Sequence, residues 1–320
     1  MPQSQPKILV EEADGIARAT ALLKQDALVA IPTETVYGLA GNARSDTACA
    51  RIFEAKGRPR FNPLIVHLAS LDQAREIAEF PPAAGDLAQA FWPGPLTLVL
   101  PLKPGHGLSP LVTAGLTTVA IRLPAHPVAR AVLAGFGGPV AAPSANPSGA
   151  ISPTMAAHVA DGLGQRVAAI LDAGPCDVGL ESTILAPSET GTRLLREGGL
   201  PREAIEALTG PLHSDTTPGR VEAPGQMTRH YAPSVPLAMN SALTDKTALR
   251  IGFTDTDGGD LSLSRSGDMV EAAATLFDIL HQAETMAHAK GNPEIHIAPV
   301  PETGLGRAIN DRLRRAAAPG

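Results

Sequence analysis

Three cations fall within five residues of the segment KGRPRFNPLIVH (56–67): Lys56, Arg58 and Arg60, directly ahead of an apolar run. Two further arginines, Arg122 in AIRLP and Arg196 in LLREGG, sit in or beside other apolar runs. Small hydrogen-bonding side chains recur in the same kind of place: Thr33 and Thr35 in PTETVYG, Ser144, Asn146, Ser148 and Ser152 in PSANPSGAIS, and Ser182 and Thr183 in ESTIL. Guanidinium forks match carboxylates and phosphates in bidentate fashion and a lysine acts on them as a point charge, so this mixture suits the recognition of anions. Each segment alone has a plainer reading, because a base at a helix end complements the dipole and Ser, Asn and Pro runs make turns. Five such segments, all at strand ends, favour one shared site. His67, at the end of a predicted strand beside the cationic loop, is a site candidate, with a satisfied, partly buried imidazole as the even alternative.

Common catalytic signatures are missing. The sequence has no G-x-x-x-x-G-K-[ST] and no full G-x-G-x-x-G; GLGRAIN near the end carries only a G-x-G. It lacks H-E-x-x-H, G-x-S-x-G and a cysteine in a nucleophile context, which disfavours covalent or zinc-dependent hydrolysis. Positioning and charge neutralisation remain as the chemistry these loops could supply.

The elements that must position the loops follow from periodicity. An amphipathic segment with Ile16, Ala19 and Leu23 on one face leads into the strand-like ALVAI (27–31). SDTACARIFEAKG reads as a helix capped by Ser45 or Asp46 and stopped at Gly57, which leaves Lys56, Arg58 and Arg60 on a loop. A loop cation contributes little to a core, so truncating Lys56 or Arg58 is expected to remove turnover without unfolding the chain. Strands are predicted in PLIVHL, PLTLVLPL, TTVAIRLP, PVAA, RVAAILDAG, ESTIL and TRLLRE, with helices in SLDQAREIA, HPVARAVLAG and from Ser152–Pro153 onward. Strands with interleaved helices predict an α/β fold, and the hairpin-like ESTILAPSETGTRLLRE makes the sheet mixed.

Residues 211 to about 236 lack periodicity and are rich in Pro, Gly, Ser and Thr, a linker composition. The expected division is a catalytic domain at 1–211, a linker or lid at 212–236 and a small α/β domain at 237–320. That last unit is expected to hold the strands ALRIGF and EIHIAP and a long helix from Asp268 to Lys290. With 320 residues, two domains are the natural expectation. A net charge of -6 and 3% aromatic content argue against a single-strand nucleic-acid platform. The absence of a long apolar run and of a signal pattern at the N-terminus points to a cytoplasmic protein without membrane contact. Cys49 and Cys176 have no metal-site spacing and are expected as free thiols.

Taken in order, PTETVYGLAGNA, KGRPRFNPLIVH, WPGPLTLVL, AIRLPAHP, APSANPSGAISPT, ESTIL and LLREGG closely resemble the YrdC-type L-threonylcarbamoyladenylate synthases over residues 12–210. APGQMTRHYAP and GLGRAINDRLRRAA resemble the linker and C-terminal domain of the family's longer members. The resemblance implies a YrdC-like twisted mixed sheet with flanking helices and a smaller Rossmann-like α/β C-terminal domain. It implies a nucleotidyltransferase that makes L-threonylcarbamoyl-AMP from L-threonine, bicarbonate or CO2, and ATP, releasing pyrophosphate, as the first step of N6-threonylcarbamoyladenosine formation in tRNA. Mg2+ is expected with the triphosphate, although no carboxylate ligand can be named. The downstream partner would be a threonylcarbamoyl transferase complex, with tRNA involved only indirectly.

By the family's K-x-R and S-x-N motifs, Lys56, Arg58, Ser144 and Asn146 would be catalytic. Thr35, His67, Arg122, Ala142 and Ser182 would line the threonine pocket. Arg58, Asn62, Thr118, Ser144, Ser152, Arg196 and, from the linker, Tyr231 would hold ATP. Residues Gln226 to Arg229 depart from a shared pattern and carry no role over. Two rivals stand beside this reading. An RNA-gripping cationic surface would lose its ligand as salt rises, and a hydrogenase-maturation carbamoyltransferase would bring cysteine clusters that this chain lacks.

Overall fold

The computed structural model describes residues 7–213, 222–223 and 229–319. The linker expected at 212–236 therefore lies partly outside the described residues, and so do Gln226, Met227 and Thr228. The first half of the described chain runs β1 (Lys7–Val10), α1 (Ala13–Lys24), β2 (Val29–Ile31), β3 (Gly38–Asn42), α2 (Asp46–Lys56), β4 (Ile65–His67), α3 (Leu71–Ile77), α4 (Pro82–Phe91), β5 (Leu96–Pro101), α5 (Pro110–Thr113), β6 (Thr118–Arg122), α6 (Pro127–Phe136) and β7 (Val140–Ala141). Then follow α7 (Ala156–Leu163), β8 (Ala169–Asp172), β9 (Thr183–Ser188), β10 (Gly191–Arg196) and α8 (Arg202–Thr209). The last unit comprises β11 (Leu237–Ala238), β12 (Leu249–Gly252), β13 (Leu261–Ser262), α9 (Met269–Lys290), β14 (Ile295–Ile297) and α10 (Gly306–Ala316).

The first ten strands form one mixed sheet in the order β1-β8-β2-β3-β7-β4-β6-β5-β9-β10, and the remaining four form a parallel sheet in the order β11-β14-β12-β13. Side chains alternate across a strand, so each sheet face collects its own core. Ala30 and Leu39 join one apolar cluster, while Val29, Ile31 and Ala40 join another on the opposite face. The same alternation sends Val66, Leu98 and Ile121 to the first cluster, and Ile65, Val99 and Ala120 to a small fourth one. The polar row described below shares a face with these last three residues.

Local signals place the helices. Ser45 Oγ accepts from the Ala48 amide, Ser70 Oγ from Gln73, and an Asp268 carboxylate oxygen from Val270 and Glu271. Gly57, at φ 59°, ends α2 in the left-handed region, and a Schellman pair closes it: Gly57 N–H donates to Glu54 and Arg58 N–H to Phe53. Lys56 is thus the last helical residue and is buried, which corrects the expectation that it rides on a loop. α7 begins at Ala156 and not near Ser152, because Ser152 Oγ is turned to Glu181 and the Pro153 carbonyl accepts from Tyr37 across to the sheet. β3 is not among the predicted strands: its Gly-containing sequence GLAGN has weak strand propensity, yet it pairs on both sides, with β2 and β7. Cys49 and Cys176 are free and buried, and burial raises both thiol pKa values, that of Cys49 to about 11. Among the described residues no helix is long and apolar enough to cross a membrane.

Candidate active site

The site is built on three adjacent strands. In β4 and β6, which are parallel, the register sets His67 beside Arg122, and antiparallel β5 sets Thr97 on the other side of Arg122. Residues two apart share a face, so His67 follows Ile65, Arg122 follows Ala120 and Thr97 accompanies Val99. This polar row lies at the carboxyl ends of β4 and β6, where open α/β sheets form their crevices.

The cavity over that row brings together most of the residues singled out from sequence. Thr35, His67, Arg122, Ala142 and Ser182 all line it, as do Arg58, Ser144, Arg196 and Tyr231. Three arginines from three separate segments are buried here, with Arg58 8%, Arg122 4% and Arg196 7% exposed. Arg122 donates from Nη2 to Glu34 Oε1 at 2.6 Å, from Nη1 to Thr35 Oγ1 at 2.8 Å, and from Nε to the Gly94 carbonyl at 3.2 Å. Arg58 is anchored by the carbonyls of Asn62 and Pro63. Arg196 donates to the Ser182 carbonyl and hydroxyl, and Ser182 Oγ lies 2.7 Å from Thr97 Oγ1.

Four predicted site residues lie behind or beside this wall, and a fifth lies apart from it. Lys56 Nζ donates to the carbonyls of Ser144 and Asn146, at 2.6 and 2.5 Å, so it holds the S-x-N segment in shape from beneath. Asn146 Nδ2 donates to the Pro147 and Ala150 carbonyls and borders a neighbouring cleft. Ser152 donates to Glu181 Oε1 at 2.5 Å. Asn62 is buried, and its carbonyl accepts from Arg58 Nε at 3.2 Å. Thr118 opens β6 beside Pro101 of β5, about 13 Å along the strand from Arg122.

Burial sets the protonation states. It pulls Arg58 down to about 10, still cationic at neutral pH, with Tyr231 opposing the shift. Burial and then the charge of Arg58 draw Lys56 well below the ordinary lysine value. His67 is pushed down to about 3 by burial and then by Arg122, so it is neutral. Its Nδ1 lies 3.3 Å from the Ile65 carbonyl, which selects the tautomer protonated there and leaves Nε2 as an acceptor. Burial raises the carboxyl pKa of Glu34 and of Glu181, but Arg122 beside the first and Arg312 then Arg196 beside the second outweigh it, so both are lowered and ionised.

Several participants escaped the sequence reading. Glu34 and Glu181 lie inside the quoted segments PTETVYG and ESTIL, but nothing in a carboxylate's spacing announces a buried partner. Glu181 and His230 line the cavity, together with Thr33, which the sequence had singled out. Arg312 of α10 reaches Glu181 from the C-terminal unit, Nε to Oε2 at 3.0 Å, a contact across 131 positions that no local pattern encodes. Among the described residues no three His, Cys, Asp or Glu side chains converge as metal ligands.

Known proteins resemble the chain along its length. The Sua5, YciO and YrdC family profile, described as telomere recombination, matches residues 21–198. The profile of the threonylcarbamoyl-AMP synthase C-terminal domain matches residues 200–318. A threonylcarbamoyl-AMP synthase of Bacillus subtilis is 43% identical, covering 94% of this chain and 92% of its own. One of Pyrococcus abyssi is 40% identical, over 93% of this chain and 92% of its own. The crystal structure of P. abyssi Sua5 complexed with L-threonine superposes with a TM-score of 0.88 at 38% identity and covers 98% of both chains.

Proposed function

The chain belongs to the Sua5–YrdC family of threonylcarbamoyl-AMP synthases, and from that premise we propose how its cavity does the family's work. It condenses L-threonine, bicarbonate or CO2, and ATP into L-threonylcarbamoyl-AMP with release of pyrophosphate, the first step of N6-threonylcarbamoyladenosine formation in tRNA. The observation that carries the reading is the burial of Arg58, Arg122 and Arg196 in one cavity, with Lys56 behind its wall.

The chemistry explains the need. The threonine amine adds to CO2 and loses a proton to give a carbamate; a carbamate oxygen then attacks the α-phosphorus, and the Pα–O bond to pyrophosphate breaks. Two anions must approach, at a cost of about 4 kcal/mol for unit charges 4 Å apart at an effective dielectric near 20. Arg58 and Arg196 offset that repulsion at the phosphate, and Ser144 hydrogen-bonds the same oxygens. Lys56 and Asn146 act by fixing the segment that carries Ser144. Arg122 has three of its five N–H groups engaged, which leaves two for the threonine carboxylate. Neutral His67 accepts from a threonine donor through Nε2, with Thr35, Ala142 and Ser182 completing that end. Asn62 and Thr118 serve the far end of ATP, and Ser152 acts at the nucleotide through Glu181.

Mg2+ enters with ATP as part of the substrate, coordinated by phosphate and water. Tyr231 and His230 line the cavity from the segment between the two sheets, which supports reading that segment as a cover that keeps water from a labile carbamate. A cytoplasmic location and hand-over to a threonylcarbamoyl transferase complex follow from the role in tRNA modification. The direct test is a mass spectrum of the product from ATP, threonine and bicarbonate: threonylcarbamoyl-AMP, formed only with all three, is expected. Pyrophosphate release indifferent to threonine would overturn the assignment.

A further inference from the structure

Glu181 is anomalous in a cavity for a polyanion. It is a buried, ionised carboxylate lining the same space as Arg58 and Arg196, and a nucleotide triphosphate would meet it as a like charge. Its partner comes from the other end of the chain. Arg312, in α10, is fully buried and spans the gap with Nε on Glu181 Oε2 at 3.0 Å. Its Nη1 is fixed on the Glu197 carbonyl at 2.6 Å and on Asp311 at 3.1 Å. The guanidinium lies 5.3 Å from the centre of the Tyr231 ring, and its Nη2 has no hydrogen-bond partner among the described residues. The other oxygen of Glu181 accepts from Ser152. A buried charge keeps such a geometry only when paired, because an unpaired carboxylate in this setting is strongly disfavoured.

We propose that Arg312 is a positioning residue for the nucleotide: by neutralising Glu181 and, with Ser152 on its other oxygen, orienting it, Arg312 lets Arg196 meet the ATP phosphates without a bare carboxylate beside it. The inference rests on the functional reading above and adds a duty for the C-terminal unit. That unit completes the charge balance of a cavity which Arg312 does not line. The charged and titratable groups facing Glu181 are Arg312 on α10, Arg196 on β10, Lys56 on α2, and His230 and Tyr231 in the covering segment. Burial pushes His230 down to about 3, so it holds no charge that could substitute for Arg312 near neutral pH.

The test uses full-length protein and a non-hydrolysable α,β-methylene ATP analogue, with affinity read by calorimetry. Arg312→Met is expected to weaken the analogue at least tenfold at pH 7.5 while the L-threonine Kd stays within twofold. With Arg312 gone, Glu181 keeps its charge at high pH and repels the analogue, then loses it as pH falls. The ratio of variant to wild-type Kd should therefore shrink as pH is lowered from 8 toward the ordinary carboxylate range, a signature that a merely structural role would not produce. The double variant Arg312→Met with Glu181→Gln, which leaves neither charge unpaired, should return the analogue to within threefold of wild type. An unchanged analogue Kd in folded Arg312→Met, an equal loss of threonine binding, or a folded double variant still tenfold weak would each overturn the proposal. If Arg312→Met does not fold, the double variant alone decides by the same threshold. Analogue binding needs no turnover, so failure of the synthase assignment and failure of this inference are read separately.

Discussion

Lys56 shows how much a single residue's surroundings change its meaning. As a loop cation it would be a reagent; as the buried end of α2 with two carbonyls on Nζ it is also a strut. Lys56→Ala would strand the Ser144 and Asn146 carbonyls, at a cost of about 3 kcal/mol. It would also shift Ser144, and a displacement near 1 Å can cost about 100-fold in rate. Denaturant unfolding and pyrophosphate release should both register the change; a variant of wild-type stability would show that Lys56 is no strut. His67 makes a pH prediction. Its folded pKa of about 3 lies below the unfolded value, so the unfolded chain binds its proton first and stability falls as pH drops through the unfolded pKa toward the folded one. For His67 alone the loss is about 2 kcal/mol at pH 5. Glu34 and Glu181, with lowered pKa values, keep their contribution until pH falls below the ordinary carboxylate range. Unfolding midpoints at pH 7 and 5 should show the loss, and His67→Gln should blunt it.

At the scale of elements, one close approach docks the C-terminal unit. Gly179 sits at φ 70°, in the loop before β9, and a Cβ there would come within 2.4 Å of the Ala274 carbonyl oxygen and 2.5 Å of its Cα in α9. Both the backbone conformation and the missing side chain are needed. Gly179→Ala is expected to cost about 2–4 kcal/mol, from left-handed strain together with overpacking. It should also weaken ATP binding, because α9 and α10 pack together and Arg312 moves with them. A thermal midpoint equal to wild type would contradict this docking. Several helices were legible from caps and period: α2 stops at Gly57 and α9 starts at Asp268, as their residues predict. β3 and the start of α7 were not, because partners distant in sequence, β7 and Glu181, override weak or misleading local preference.

For the whole molecule, the two sheets share a core. Val36, Ile151 and Leu180 from the large unit pack in one cluster with Tyr231, Leu276, Phe277 and the rest of the C-terminal interior. Units joined through buried apolar surface, and through the Arg312–Glu181 pair, should unfold together. Calorimetry is expected to show a single transition. Leu180→Ala, which opens a cavity at the seam at a cost of about 2–5 kcal/mol, should lower the midpoint or split it. Two well-separated transitions in the wild-type chain would contradict a common core.

Residue order alone determined which strand ends carry cations and hydroxyls, because cap, glycine and period-two signals act over a few positions. The same short-range signals placed Arg58, Arg122, Ser144, Ser182 and Arg196 at those ends. Only the folded chain decided that Lys56 works from behind the wall, that Glu34 and Glu181 each acquire an arginine, and that Arg312 crosses from the last helix to do so. Those pairings arise from burial, which makes an isolated charge so unfavourable that it must find a partner wherever packing brings one within reach.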